Sequence, residues 1–142
     1  MTCVVIDAST ALAWCFPDET SEHADEVLVA LEGHTILVPA VWNLELTNAV
    51  IVGERRKRIR QAEINNFTTL LESLSIVQDR QSVSESLRNV LPLARVHGLT
   101  AYDAAYLELS MRHRAPLATI DSKLLKAAKS AGISSFGSEG VR

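Results

Sequence analysis

Cysteine is scarce in this 142-residue sequence: Cys3 and Cys15 lack the number and spacing of a disulfide framework or a zinc knuckle. Cys3 sits in an apolar, strand-like run and reads as a small core residue. The histidines, His23, His34, His97 and His113, show no pairing at ligand spacing, which argues against zinc. Gly33, Gly53 and Gly98 are isolated, so no glycine-rich loop is present to cradle a nucleoside triphosphate. Aromatic residues make up only 5% of the chain. Trp14, Trp42, Tyr102 and Tyr106 all fall in apolar helical stretches and read as core or dimer-interface residues, not base-stacking platforms. No apolar run is long enough to span a membrane, and Asp7 interrupts the N-terminal run before it resembles a signal peptide. The expectation is a soluble, cytoplasmic protein with no membrane contact. A formal charge of −3 supplies no global attraction for polyanions, so any nucleic acid must be recognised locally.

What the chain does have is an apolar fraction of 47%, enough for one ordinary globular domain over residues 1–142. Folding a chain of this length buries roughly 68–70% of its unfolded surface. The β-branched run at 3–7 reads as a buried strand, Ser9-Thr10 can cap the next helix, and Pro17 ends it. Further helices are expected at 21–31, 41–53, 61–73, 82–97, 100–113 and 122–131. Strands are expected at 35–38, 76–77 and 117–120, with a last short one beginning at Ile133. This alternation predicts a three-layer α/β/α sandwich around a central, mainly parallel sheet. Ligands in such folds bind beyond the carboxyl ends of the strands.

Four carboxylates stand where a structural residue would be apolar or small. Asp7 ends the run Cys3-Val4-Val5-Ile6, and Asp121 ends Leu117-Ala118-Thr119-Ile120. Glu45 and Asp103 are embedded in the apolar stretches Val41–Leu46 and Ala101–Leu107. Each has a bland reading: Asp121 as a helix cap, Asp103 closing a capping box with Thr100, Asp7 as a turn residue. Glu45 is the hardest to dismiss, because its helical neighbours Val41, Trp42, Asn48 and Ala49 are largely apolar. Burying one unpaired carboxylate is costly, and two about 4 Å apart repel by roughly 4 kcal/mol at an effective dielectric near 20. A shared hard divalent cation explains all four at once, and an all-oxygen donor set suits Mg²⁺ or Mn²⁺. With no Ser-His or Cys-His pairing in view, metal-activated water is the expected nucleophile, and phosphodiester hydrolysis the leading reaction.

Four motifs in order resemble those of the PIN domain family, and within it the VapC toxins of bacterial toxin–antitoxin pairs. They are Val5-Ile6-Asp7-Ala8-Ser9-Thr10-Ala11-Leu12, Pro39-Ala40-Val41-Trp42-Asn43-Leu44-Glu45, Leu99-Thr100-Ala101-Tyr102-Asp103-Ala104-Ala105-Tyr106-Leu107 and Leu117-Ala118-Thr119-Ile120-Asp121-Ser122-Lys123-Leu124. The resemblance implies an Mg²⁺- or Mn²⁺-dependent ribonuclease acting on RNA. It also implies a homodimer, held inactive by a VapB-type antitoxin whose tail covers the acidic site. Asp7 and Asp103 become metal ligands. Glu45 and Asp121 bind metal directly, through water, or only with substrate, and Ser9 and Thr119 are supporting hydroxyls. Some relatives carry a further acid just after the fourth; Ser122 stands there, which leaves a second metal position open.

Arg55, Arg56, Lys57, Arg58 and Arg60 form the densest cationic run, either a solvated inter-helix turn or a rim that contacts RNA phosphates. Arg112, His113 and Arg114 form a second such cluster. A catalytically silent PIN-like module that binds RNA or protein is the competing class. A phosphatase or phosphoryl-acceptor domain fits poorly, since Asp7-Ala8-Ser9 has no second Asp beside the first.

Overall fold

Val4, Val5 and Ile6 are fully buried although successive side chains of a strand point to opposite faces, so both faces of the sheet are covered. In the computed structural model, which describes residues 2–137, these residues belong to β1 (Cys3–Ile6). The elements that follow are α1 (Ala8–Cys15), a single 3-10 turn, α2 (Glu22–Ala30), β2 (Thr35–Pro39), α3 (Val41–Arg55) and α4 (Gln61–Ser73). Then come β3 (Ile76–Asp79), α5 (Val83–His97), α6 (Ala101–His113), β4 (Leu117–Ala118) and α7 (Ser122–Ser130). The four strands lie in the order β3-β2-β1-β4, every pair parallel. That is the expected layered α/β architecture, with β1 at a central position. Each of its three buried side chains contributes roughly 1.5–3 kcal/mol relative to exposure, which offsets the cost of the buried acid that follows them.

Helix boundaries follow local chemistry. Ser82 and Glu85 form the anticipated capping box of α5, and Gly98 closes that helix in the left-handed region at φ 63°. Thr100 caps α6. The cap of α1 was expected at Ser9-Thr10; it is Asp7, whose carboxylate accepts from the Thr10 N–H. The helix therefore begins at Ala8, and the acid is bound into its first turn. The strand expected to begin at Ile133 is reduced to a one-residue parallel bridge between Ser135 and Leu117. Gly132 and Ile133 instead finish α7, the Ile133 N–H bonding back to the Ala128 carbonyl at 2.8 Å. Pairing with β4 starts only at Ser134. Among the described residues no helix is long and apolar enough to cross a membrane.

One close approach locks α3 against the end of α1. A Cβ built on Gly53 would lie 2.3 and 2.7 Å from ring atoms of Phe16. Phe16 is only 2% exposed, and Arg58 covers its ring at 4.3 Å from the centroid. Neither layer has room to yield. Gly53→Ala should therefore destabilise the fold by about 1–3 kcal/mol, the usual cost of overpacking a core. A denaturant midpoint equal to that of wild type would show that this contact is slack.

Candidate active site

The sheet delivers Asp7 and Asp121 to its carboxyl edge, immediately after β1 and just beyond β4, while α3 and α6 bring in Glu45 and Asp103. Asp7 is 4% exposed, and every polar contact it makes is a neutral donor. Its Oδ1 accepts from Ser9 Oγ at 2.8 Å, from the Thr10 N–H at 3.0 Å and from Thr10 Oγ1 at 3.1 Å. Its Oδ2 accepts from Thr119 Oγ1. Thr10 also bonds the Ala118 carbonyl at 2.9 Å, which ties α1 to β4 behind the carboxylate. Burial pushes the Asp7 carboxyl above the usual aspartate range, and these hydrogen bonds only partly offset it. The acid is held through both oxygens and has no cationic partner among the described residues.

Glu45 is half-buried, and its Oε1 accepts a hydrogen bond from the Tyr106 hydroxyl. Burial raises its carboxyl, and the nearby charges of Asp103 and Asp7 raise it further against the lowering effect of that bond. Asp103 is raised by burial first, then by the charges of Asp121 and Asp7, with Lys123 acting in the opposite sense. Asp7 is thus raised by burial alone, while its charge helps to raise Glu45 and Asp103, and Asp121 acts on Asp103. The Asp103 carboxylate closes no capping box: only its backbone N–H engages Thr100, at 3.2 Å. Asp121 does serve as the cap of α7, accepting from the Lys123 and Leu124 N–H groups, while its own N–H bonds Thr119 Oγ1 at 3.0 Å. Thr119 therefore bridges the first and fourth acids.

The four acids share one electrostatic environment, yet their side chains are not drawn onto a single point. Among the described residues no three His, Cys, Asp or Glu side chains are grouped closely enough to hold an ion as they stand. Mutual repulsion between carboxylates keeps such groups apart. The donor set, all carboxylate oxygen around a buried acid without a cationic partner, nonetheless has the chemistry of a hard divalent cation's site.

Tyr106 has a role at the site beyond the core position expected of it. Tyr106, only 1% exposed, is a core residue as expected, but its hydroxyl orients Glu45. The signal was the spacing, since residues three apart share a helix face and Tyr106 lies three after Asp103. Tyr102, expected to be a core or dimer-interface residue, is 60% exposed in the single chain, which excludes only the core. The cationic run divides. Arg58 is committed to Asp18 and Glu19 at 2.7–2.9 Å as well as to Phe16, so it staples the α3–α4 turn to the chain beyond α1. Arg60 lies 3.7 Å from Glu63. Arg55, Arg56 and Lys57 are exposed. Arg112 is taken up by Asp79 and Glu108. Cys15 is buried and its thiol is pushed up to about 11, so it is unreactive.

Comparison with known proteins agrees with this fold. A family model described as PIN domain matches residues 4–130. Over 122 residues the chain is 34% identical to Ribonuclease VapC3 of Pyrobaculum aerophilum, covering 85% of this chain and 91% of that protein. The crystal structure of PAE2754 from Pyrobaculum aerophilum is similar at a TM-score of 0.70 and 27% identity, over 99% of this chain and 88% of that one. FitAcB from Neisseria gonorrhoeae is similar at a TM-score of 0.65, over 94% of this chain and 96% of that one. Its 18% identity supports the fold alone.

Proposed function

The chain belongs to the PIN domain family, and from that membership we propose that it is a VapC-type endoribonuclease, the toxin of a toxin–antitoxin pair. The observation that carries this reading is the buried, cation-free Asp7 carboxylate facing two further raised acids at the carboxyl edge of a parallel sheet. The 34% identity to a protein named Ribonuclease VapC3 supports RNA as the substrate and a VapB-type antitoxin as the partner. Asp7 and Asp103 hold Mg²⁺ or Mn²⁺, with Glu45 and Asp121 completing the site directly or through water. Such an ion supplies Lewis acidity, acidifying water and neutralising charge on a phosphoryl oxygen.

The chain's own groups do the positioning. Ser9, Thr10 and Thr119 fix both oxygens of Asp7, so its orientation is set before any ligand arrives. Tyr106 holds one oxygen of Glu45 and leaves Oε2 to take a proton from the attacking water. Arg55, Arg56 and Lys57 supply phosphate contacts along the rim. Leu44 and Ile51 on α3, and Val83 and Leu87 on α5, are exposed apolar side chains that a second copy of the chain covers in a homodimer. We place the protein in the cytoplasm and read the chain as one domain, of which residues 2–137 are described.

Induced expression tests the whole reading. Wild type should arrest growth and leave cleaved RNA, whereas Asp103→Asn should do neither; equal arrest by both would overturn it. The splayed carboxylates favour one competitor, a silent RNA- or protein-binding module, and calorimetry showing no heat with Mn²⁺ would select it. Tyr106→Phe should lower cleavage about 10–100-fold, the usual loss when a group orienting a metal-site ligand is removed. An unchanged rate in a folded Tyr106→Phe protein would make that hydrogen bond incidental.

A further inference from the structure

A second cleft opens at the same edge of the sheet. It holds about 200 Å³ and is lined by the ends of β2 and β3, at Pro39 and Asp79, together with Gln81, Ser86, Ala105 and Glu108. Two strand spacings, roughly 10 Å, separate the end of β3 from the end of β1. Val41, also in the wall, lies one helical turn before Glu45. A base flanking a phosphodiester at the acidic site is within reach. The volume falls below the roughly 300–1,000 Å³ of sites for drug-sized ligands, and suits a single planar ring system.

The walls are largely apolar, with Pro39, Ala40, Val41, Val90 and Ala105, and the charged side chains among them, Asp79 and Glu108, are acceptors. Arg112 spends its guanidinium on Asp79 at 2.6 and 3.1 Å and on Glu108 at 2.9 and 3.0 Å, so two carboxylates share one cation. Gln81 Nε2 donates to Glu108 Oε1 at 2.8 Å. Because a carboxylate only accepts, that bond fixes the amide's orientation. Among the described residues the buried Gln81 Oε1 has no partner, and Asp79, Glu108 and Arg112 together carry a net charge of −1. Such a site calls for a neutral ring that presents several N–H donors along one edge. Among the bases, guanine places N1–H and the N2 amine side by side, and RNA-binding proteins read such edges in unpaired strands.

We propose that the cleft between Gln81, Ser86 and Glu108 is a base-recognition subsite that selects guanine next to the scissile phosphate. The inference rests on the nuclease reading above. The test uses the full chain and single-stranded RNA oligonucleotides that differ only in the bases flanking one cleavage position. Guanine, inosine, adenine, cytosine and uracil are compared with wild type, Gln81→Leu and Ser86→Leu. The guanine substrate should be cleaved roughly tenfold or more faster than the others, the scale of a two-donor base contact. Inosine, lacking the N2 amine, should fall between, and both variants should flatten the preference. Ser86→Leu leaves the Gln81–Glu108–Arg112 network intact, so it reports even where Gln81→Leu fails to fold. Equal cleavage of all substrates, or a preference unchanged in both variants, overturns the proposal. So does a flat preference with a Ser86→Leu mass shift in ultracentrifugation, which would make the cleft a contact between copies. If no oligonucleotide is cleaved, the nuclease reading fails. Guanosine monophosphate then decides the cleft: a shift of the Gln81 side-chain amide resonances supports it, and none at millimolar ligand overturns it.

Discussion

Purified Asp7→Asn protein should cleave RNA at least about 100-fold more slowly than wild type, while staying folded. Removing a residue that merely orients a metal ligand costs about 10–100-fold, so removing a ligand's charge sets that range as the floor. Folding should survive because Asn keeps an oxygen in the place of Oδ1. That oxygen still accepts from Ser9, from the Thr10 N–H and from Thr10 Oγ1, so the cap of α1 is retained. Only the Thr119 contact changes sense, with the new amide donating to a hydroxyl that already accepts from the Asp121 N–H. Asp7→Ala should lose activity too, but also the cap, at about 0.5–2 kcal/mol. Cleavage assays with excess Mn²⁺, paired with thermal melts, separate the two effects. Near-wild-type cleavage by folded Asp7→Asn protein would remove Asp7 from the machinery.

Much of this was legible in the sequence because the relevant signals are local. Helix starts and stops at Ser82, Thr100 and Gly98 depend on neighbouring residues, and all three appear as expected. Acids at strand ends could be recognised because a buried β-branched run ending in Asp has few structural explanations. The misreadings were non-local. The sequence offered Arg58 as a phosphate contact, but its partners Asp18 and Glu19 lie 40 and 39 residues away, and only the fold brings them together. Tyr106 looked like any core aromatic because its hydroxyl partner is 61 residues distant on another helix. Glu108 is an acid in an apolar helix just as Glu45 is, yet Arg112 one turn later and Gln81 satisfy it. Local pattern identifies an unusual residue, and long-range pairing decides whether it is neutralised or left available.

That availability governs stability. Asp7, Glu45 and Asp103 all have carboxyls raised above their ordinary values, first by burial. A raised carboxyl means that the native state binds more protons than the unfolded chain between the ordinary value and the raised one. Stability from these groups is complete below the ordinary carboxylate range and is lost as pH rises through the raised values. In chelator, Asp103→Asn should therefore melt a few degrees above wild type at pH 8, and the gap should close by about pH 4. Asp103 is only partly buried, so screening limits the gain to about 1 kcal/mol, or roughly 4 °C. Mn²⁺ should reverse the order. A ligand held only by the native state at a hundred times its Kd adds about 2.7 kcal/mol, near 10 °C for a chain of this size. Wild type should gain that shift, and Asp7→Asn and Asp103→Asn should gain little of it. Melting curves at both pH values, with and without Mn²⁺, check the prediction without any measurement of cleavage. Equal Mn²⁺ shifts in wild type and both variants would place the ion elsewhere, and the three acids would then destabilise the fold without holding a metal.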